Sequence, residues 1–71
     1  MKLNYYKETD SLYIDLAERP SAESREVAPG VVLDFDANGK LVGIDVDGAS
    51  QIVEMSRLET VELPVRGTSA A

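Results

Sequence analysis

The sequence predicts a small α+β domain: an antiparallel β-meander of about four strands in two hairpins, with one short helix packed on one face. Apolar and polar residues alternate along several short segments before Gly48, and turn residues separate these segments. After Gly48 the apolar residues recur at helical spacing instead. A chain of 71 residues has room for one core, so we predict a single domain over residues 1–66 and a disordered tail over 67–71.

The first hairpin is predicted from KLNYYK and LYIDL, which alternate around the polar turn ETDS. A two-residue loop at Glu8-Thr9 places Leu3 opposite Ile14 and so pairs apolar with apolar residues. The same register gives two further cross-strand pairs, Tyr5 with Leu12 and Lys2 with Asp15.

A loop and a short strand follow this hairpin. ERPSAES contains a proline, two serines and charges, which is typical of a loop, and REVA resumes a strand. Pro29-Gly30 then predicts a bend or turn. Since proline has no N–H to donate, we expect Pro29 at a sheet edge or a bulge.

Residues 34–45, DFDANGKLVGID, raise the question of a calcium loop, because Asp34, Asp36 and Asn38 stand at EF-hand ligand positions. An EF-hand needs a helix on each side. Here strand-like residues 31–33 precede the stretch, and residues 46–48 cannot begin a long helix. The sequence therefore predicts a hairpin.

The turn of this second hairpin is predicted at Asn38-Gly39, a pair that favours a type I′ turn with two positive φ angles. A two-residue loop there brings three apolar pairs to one face: Phe35 with Val42, Leu33 with Ile44, and Val31 with Val46. Gly43, on the other face, would either leave space for a neighbouring side chain or mark a bulge.

ASQIVEMSRLE predicts a helix of two to three turns, capped by Asp47 or Ser50, that lays Ile52 and Met55 across the apolar sheet face. TVELPV, residues 60–65, then alternates again. It predicts an extended segment or an extra C-terminal edge strand.

Composition excludes several kinds of chemistry. The chain has no cysteine, which removes disulfides and zinc–sulfur sites, and no histidine, which is the usual general base. We therefore expect no cofactor and no enzyme activity.

Charge and hydropathy restrict the partners. The net charge of −6 disfavours nucleic-acid binding by this chain without help and suits a basic protein partner. No apolar run approaches the ~18 residues of a membrane helix, and the charged, alternating start is neither a signal peptide nor an anchor. We expect no membrane association and a cytoplasmic location.

The candidate functional residues lie on the sheet face turned away from the predicted core. Its apolar members are the candidates for binding a partner: Tyr6, Tyr13, Val32 and Leu41. Its acids are Asp34, Asp36, Asp45 and Asp47, of which Asp34, Asp36 and Asp45 are the candidate ligands for a weakly bound calcium or magnesium ion. Solvated acids on an exposed strand face also simply maintain solubility.

Three stretches taken in order resemble a family of small bacterial proteins, domain-of-unknown-function family number 2283. They are residues 6–10 leading into SLYIDL, then EVAPGVVLDFDANGKLVGID, then ASQ. The resemblance covers residues 3 to about 51. It implies a small stand-alone cytoplasmic bacterial protein with no established activity and no known catalytic residues. Some relatives are encoded beside small toxin-like proteins, which implies an antitoxin-like binding role as one expectation.

Taken together, these observations favour a non-catalytic protein-binding module that forms a homodimer. The alternative is a weak divalent-cation-binding protein that uses the acidic hairpin face. A small acid/base enzyme built on two interacting carboxylates is the third hypothesis.

Overall fold

The computed structural model describes residues 1–64 as one five-stranded antiparallel sheet followed by one short helix. The α+β class is therefore confirmed. The elements are β1 (Lys2–Tyr6), β2 (Ser11–Asp15), β3 (Glu23–Ala28), β4 (Val31–Phe35), β5 (Leu41–Asp47) and α1 (Ala49–Ile52).

The predicted meander of about four strands is wrong in strand count and in strand order. The order across the sheet is β1-β2-β5-β4-β3, so β2 pairs with the last strand rather than with the next one. The chain crosses from β2 to β3 past the end of the sheet, where Leu16 N donates to Val42 O and Ala22 N donates to Phe35 O. The crossing places the most polar strand, β3, at an edge.

The β1–β2 hairpin has the predicted register: Leu3 pairs with Ile14, Tyr5 with Leu12, and Lys2 with Asp15. Residues 7–10 form the turn between the strands, with Glu8-Thr9 at its centre. Asp10 closes the turn in the left-handed region, at φ 51°.

The β4–β5 hairpin is confirmed, but its turn differs from the prediction. Leu33 pairs with Ile44 as expected, whereas Phe35 pairs with Leu41 because a bulge at Val42 shifts the register. Gly39 has φ 80° while Asn38 does not have a positive φ, so the turn is not type I′. A turn with one left-handed glycine shifts the pairing by one residue, so that Asp36 N donates to Lys40 O, and the bulge at Val42 then restores the predicted pairing of Leu33 with Ile44.

The edge strand β3 is exposed at all six positions. A register shift between Glu26 and Ala28 leaves Val27 as an unpaired bulge residue. Pro29-Gly30 forms the turn into β4, with Gly30 at φ 81°. The predicted turn at Pro29-Gly30 is therefore confirmed, and Pro29 lies just after the edge strand and not in it.

The core lies on one side of the sheet, which we call the apolar face. Leu12 and Val46 pair across β2 and β5 and pack with Ala49 of α1, while Ile14 and Ile44 are partly buried beside them. Each well-buried aliphatic side chain stabilises the fold by roughly 1.5–3 kcal/mol. Within residues 1–64, no large side chain is completely buried, so this core is small.

The helix is shorter than predicted and is capped differently. It ends at Ile52, and Val53 is already extended, because two adjacent β-branched residues lose side-chain freedom in a helix. Neither Asp47 nor Ser50 caps it. Instead Asp10 caps the first residues of the helix. Its main-chain oxygen accepts a hydrogen bond from Ala49 N at 2.8 Å, and its carboxylate accepts hydrogen bonds from Ser50 N and Ser50 Oγ.

The remaining described residues, 53–64, contain no strand, so the C-terminal edge strand is wrong over residues 60–64. Residues 65 and 66, and the tail predicted over 67–71, lie outside the described residues. No helix in the described part of the chain has the length and apolar character needed to cross a membrane.

Candidate functional site

The second side of the sheet carries the candidate site, because strand side chains alternate between the two faces. We call this side the acidic face. Cross-strand register places on it five carboxylates and one ammonium group: Asp15, Glu26, Asp34, Asp45, Asp47 and Lys2. The one helix of the described chain packs on the opposite, apolar face through Ala49.

Tyr13 is anchored at the centre of the acidic face. Its hydroxyl donates to Asp34 Oδ2 at 2.9 Å, and Ser24 Oγ donates to the other oxygen, Oδ1, at 2.5 Å. To reach Asp34 on β4, the Tyr13 ring crosses β5 above Gly43. A Cβ atom at Gly43 would overlap the hydroxyl and lie 2.6 Å from the ring carbon Cζ. Of the two predicted roles of Gly43, the structure shows the first, since it leaves space for a neighbour.

Burial and the hydrogen bond with Asp34 raise the pKa of Tyr13 to about 12. Both effects favour the neutral phenol, since ionisation would place a phenolate beside a carboxylate. Tyr13 is therefore protonated at neutral pH and donates its hydroxyl hydrogen to Asp34.

Asp45 lies between Tyr13 and Val32 in the same cross-strand row. Burial raises the pKa of Asp45, and the negative charges of Asp47 and Asp34 add to the rise. The acidic face thus holds carboxylates that repel one another. A positively charged group from outside would relieve this repulsion.

Asp36, predicted to belong with these acids, is engaged elsewhere. Its Oδ1 accepts from Asn38 N and Lys40 N, each at 2.9 Å, and its Oδ2 accepts from Arg19 Nε at 2.7 Å. The hydrogen bond from Lys40 N is the main reason that the pKa of Asp36 is lowered, with further contributions from Arg19 and Asn38. Asp36 therefore stabilises its own turn and, through Arg19, the connection between β2 and β3.

The predicted choice of hairpin over calcium loop is confirmed, because residues 34–45 form a strand, a turn and a strand. Asp34 binds Tyr13 and Ser24, while Asp36 binds its own turn and Arg19. Within residues 1–64, no three acidic side chains come together as a set of metal ligands.

The structure brings three of the four partner-binding candidates together. Tyr6, 53% exposed, lies diagonal to Tyr13, and Val32 follows one strand beyond Asp45. Leu41 lies about 20 Å along β5 from the Asp47 row that contains Tyr6, given the rise per strand residue. It pairs with Phe35 and so lies on the apolar face, which makes its predicted place among the acids wrong, because the bulge at Val42 reverses the alternation.

A second surface, which we call the apolar groove, was not predicted from the sequence. It has a volume of about 300 Å³ and lies on the apolar face where β1 meets the chain after α1. Its apolar lining consists of Leu3, Tyr5, Leu12, Val53, Met55 and Leu58. The predicted helix would have covered this region, but α1 ends one turn after it begins. The adjacent Ile52-Val53 pair was the available signal.

The part of the chain that contains the five strands matches a known protein family. The family model described as "Protein of unknown function (DUF2283)" matches residues 2–50. This chain belongs to that family. The DUF2283 match contains all five strands and ends at Ser50, the residue whose amide and hydroxyl bind Asp10. The family region of this DUF2283 protein therefore includes the contact that joins the first hairpin to the helix. No curated protein and no solved structure matches the chain.

Proposed function

We propose that this protein is a non-catalytic, homodimeric binding module that presents its acidic face to a basic protein. The observation that carries the proposal is the distribution of charge on that face. The acidic face carries five carboxylates and one ammonium group, and the helix lies on the other side of the sheet. A basic partner would be attracted by this field and would relieve the repulsion around Asp45.

The aromatic residues on the face support a protein as the partner. Tyr13 is held by Asp34 and Gly43, so a partner could cover its ring at little cost in side-chain entropy. Tyr6 is exposed beside it, and Val32 adds an apolar contact beyond Asp45. Aromatic residues surrounded by polar groups are typical of protein interfaces.

The non-catalytic part of the proposal is supported by the absence of histidine and cysteine from the sequence. Three of the aspartates already serve structural contacts: Asp10 at the helix start, Asp34 below Tyr13, and Asp36 in its turn. These hydrogen bonds occupy the oxygens that a general base would need.

The homodimeric part is supported by the small core and the open apolar groove. Leu3 and Tyr5 remain 46% and 45% exposed on the groove side. A chain of this size gains stability when a second subunit covers such residues. An antitoxin-like role, in which the basic partner is a small toxic protein, is a special case of this proposal.

The test is affinity capture from a lysate of the encoding organism, with identification of the captured proteins. We expect a basic protein that is retained at low salt and released as salt rises. The double variant Asp45→Asn/Asp47→Asn should no longer capture this basic protein. The matched control Glu8→Gln/Glu18→Gln removes the same charge from exposed residues off the sheet and should retain it. Capture that is equal for both variants would overturn the proposal.

Weak divalent-cation binding is the second candidate function. The raised pKa of Asp45, to which the Asp47 and Asp34 charges contribute, favours it, since a cation between these carboxylates would offset their repulsion. Millimolar calcium or magnesium should then raise the melting temperature, and Asp34→Asn/Asp45→Asn should abolish the gain. An unchanged melting temperature would remove this candidate.

A further inference from the structure

The two edges of the sheet are unequally protected against pairing with another strand. At one edge, β3 carries Glu23, Arg25 and Glu26 and is interrupted by the bulge at Val27. Charges and bulges of this kind are the usual protection of an edge strand. At the other edge, β1 has no register shift, and Lys2 is its one charged residue.

The hydrogen-bonding direction of β1 follows from its neighbours. Leu16 N donates to Val42 O at 2.9 Å, so Leu16 turns its main-chain groups toward β5. Because successive residues of a strand point to alternate sides, Tyr13 turns its groups toward β1 and bonds its partner Asn4. The main-chain N–H and C=O groups of Leu3 and Tyr5 therefore face outward at the open edge.

We propose that β1 pairs antiparallel with β1 of a second copy, about a two-fold axis at Asn4, so that two five-stranded sheets become one of ten strands. The inference rests on the proposed homodimer and specifies its contact. Leu3 of each copy then lies opposite Tyr5 of the other, and the outward main-chain groups of these two residues exchange hydrogen bonds in both copies. Asn4 faces Asn4 of the second copy in a pair without main-chain hydrogen bonds.

The side chains of β1 fit this arrangement on both faces. On the apolar face, each Leu3 packs against Tyr5 of the second copy, and both are about half-exposed in the single chain. On the acidic face, Lys2 lies opposite Tyr6 of the second copy, where a cation–π contact is favourable. The two Lys2 residues stand at opposite ends of the pair, so like charges do not meet.

The occupant of this edge is a second copy rather than a different protein, because the strand is complementary to itself under a two-fold rotation. The contact also keeps the acids apart, since no carboxylate lies on β1. The two apolar grooves lie beside Leu3 and Tyr5 and so approach each other across the axis. The acidic faces remain open to a partner.

Cysteine cross-linking tests the register directly, because the natural chain has no cysteine. In Asn4→Cys the two Cα atoms would lie about 4.5 Å apart, within the range that a disulfide bridges. Under mild oxidation, Asn4→Cys should form a disulfide dimer at least about tenfold faster than Ser24→Cys on β3, because pairing raises the effective thiol concentration. Equal rates would overturn the proposal.

A mixture of two variants tests the same geometry independently. In this arrangement the two Tyr6→Cys side chains of a dimer lie about 13 Å apart, because their positions are offset by four residues along the strand direction. Tyr6→Cys should cross-link slowly with itself and rapidly with Lys2→Cys. Rapid self-linkage of Tyr6→Cys would contradict the register.

Light scattering of the natural chain separates the two levels of the proposal. A dimer in which neither cysteine test succeeds keeps the homodimer and overturns the β1 contact. A monomer at all concentrations overturns both the contact and the homodimeric part of the proposed function. The capture experiment on the acidic face is not affected by either result.

Discussion

The Tyr13 ring lies across Gly43, on the neighbouring strand, and reaches Asp34 one strand further on. Tyr13 and Gly43 are thirty positions apart in sequence. Because the space above Gly43 is filled by the phenol, glycine is needed here for close approach and not for a turn. This contact joins β2, β5 and β4 on the acidic face, opposite the core.

Gly43→Ala is expected to destabilise the protein by about 1–3 kcal/mol, as an overpacked site does. The added methyl group would meet the Tyr13 hydroxyl and ring. Chemical denaturation followed by circular dichroism measures the change. In a Tyr13→Ser background the same substitution should cost much less, and an equal cost in both backgrounds would show that the contact with Tyr13 is not the cause.

Tyr13→Phe should lower stability by about 1 kcal/mol at pH 7, since it removes the hydrogen bond to Asp34. The stability of the natural chain should also fall as pH rises from 10 to about 12. In that window the unfolded phenol ionises, whereas the folded state, with the pKa of Tyr13 raised to about 12, keeps its proton.

Urea denaturation at several pH values checks this prediction, with tyrosinate absorbance as the direct readout. Tyr13→Phe should reduce the loss of stability above pH 10. A pH profile that is the same in both proteins would contradict the assignment of the raised pKa to Tyr13.

Asp45→Asn should raise stability at pH 7. The folded-state pKa of Asp45 is raised, so its ionised form opposes folding, and this cost is absent below about pH 3.8, where the unfolded carboxyl is also protonated. The gain should be up to about 1 kcal/mol, the size of an exposed charge interaction. For a domain of this size, that gain corresponds to about 4–8 °C in melting temperature.

Thermal melts at pH 7 and pH 3.5 measure this difference. The gain should shrink at the lower pH, and the uncharged substitution Asp45→Ser should reproduce it at pH 7. A loss of stability at pH 7 in both variants would show that Asp45 stabilises the face.

Asp36→Ala should destabilise the protein more than Arg19→Ala does. Arg19 is 47% exposed, so solvent screens its ion pair, whereas Asp36 also holds two main-chain N–H groups of its turn. Because the pKa of Asp36 is lowered, its contribution is present above about pH 3.8 and is lost as pH falls. Denaturation of both variants at pH 7 decides the order, and an equal cost would assign the stability to the ion pair.

Local pattern was sufficient to predict the register of the β1–β2 hairpin and, except at Phe35, that of the β4–β5 hairpin. Alternation has a period of two, so a slip of one residue would turn Leu3 or Leu33 to solvent, and few registers keep both apolar. The turn residues limit the loop further. The pairing of Phe35 with Leu41 escaped prediction, because the turn uses one left-handed residue, Gly39, rather than two, and a bulge at Val42 restores the expected register at Leu33.

The pairing of β2 with β5 lay outside such local information. Leu12 and Val46 are thirty-four residues apart, and an apolar strand face pairs equally well with several others until the whole sheet is assembled. The cap of the helix has the same origin: its first amides are bound by Asp10, forty residues before Ser50, and no residue near the helix in sequence indicates this contact.

The amino-acid pattern thus established the fold class, both hairpins and an acidic, histidine-free surface, since these depend on neighbours along the chain and on composition. Strand order, the separation of Asp36 from the other acids, the need for glycine at position 43 and the open apolar groove came from the folded chain. Each depends on which distant segments meet, and that is settled by the packing of the whole sheet.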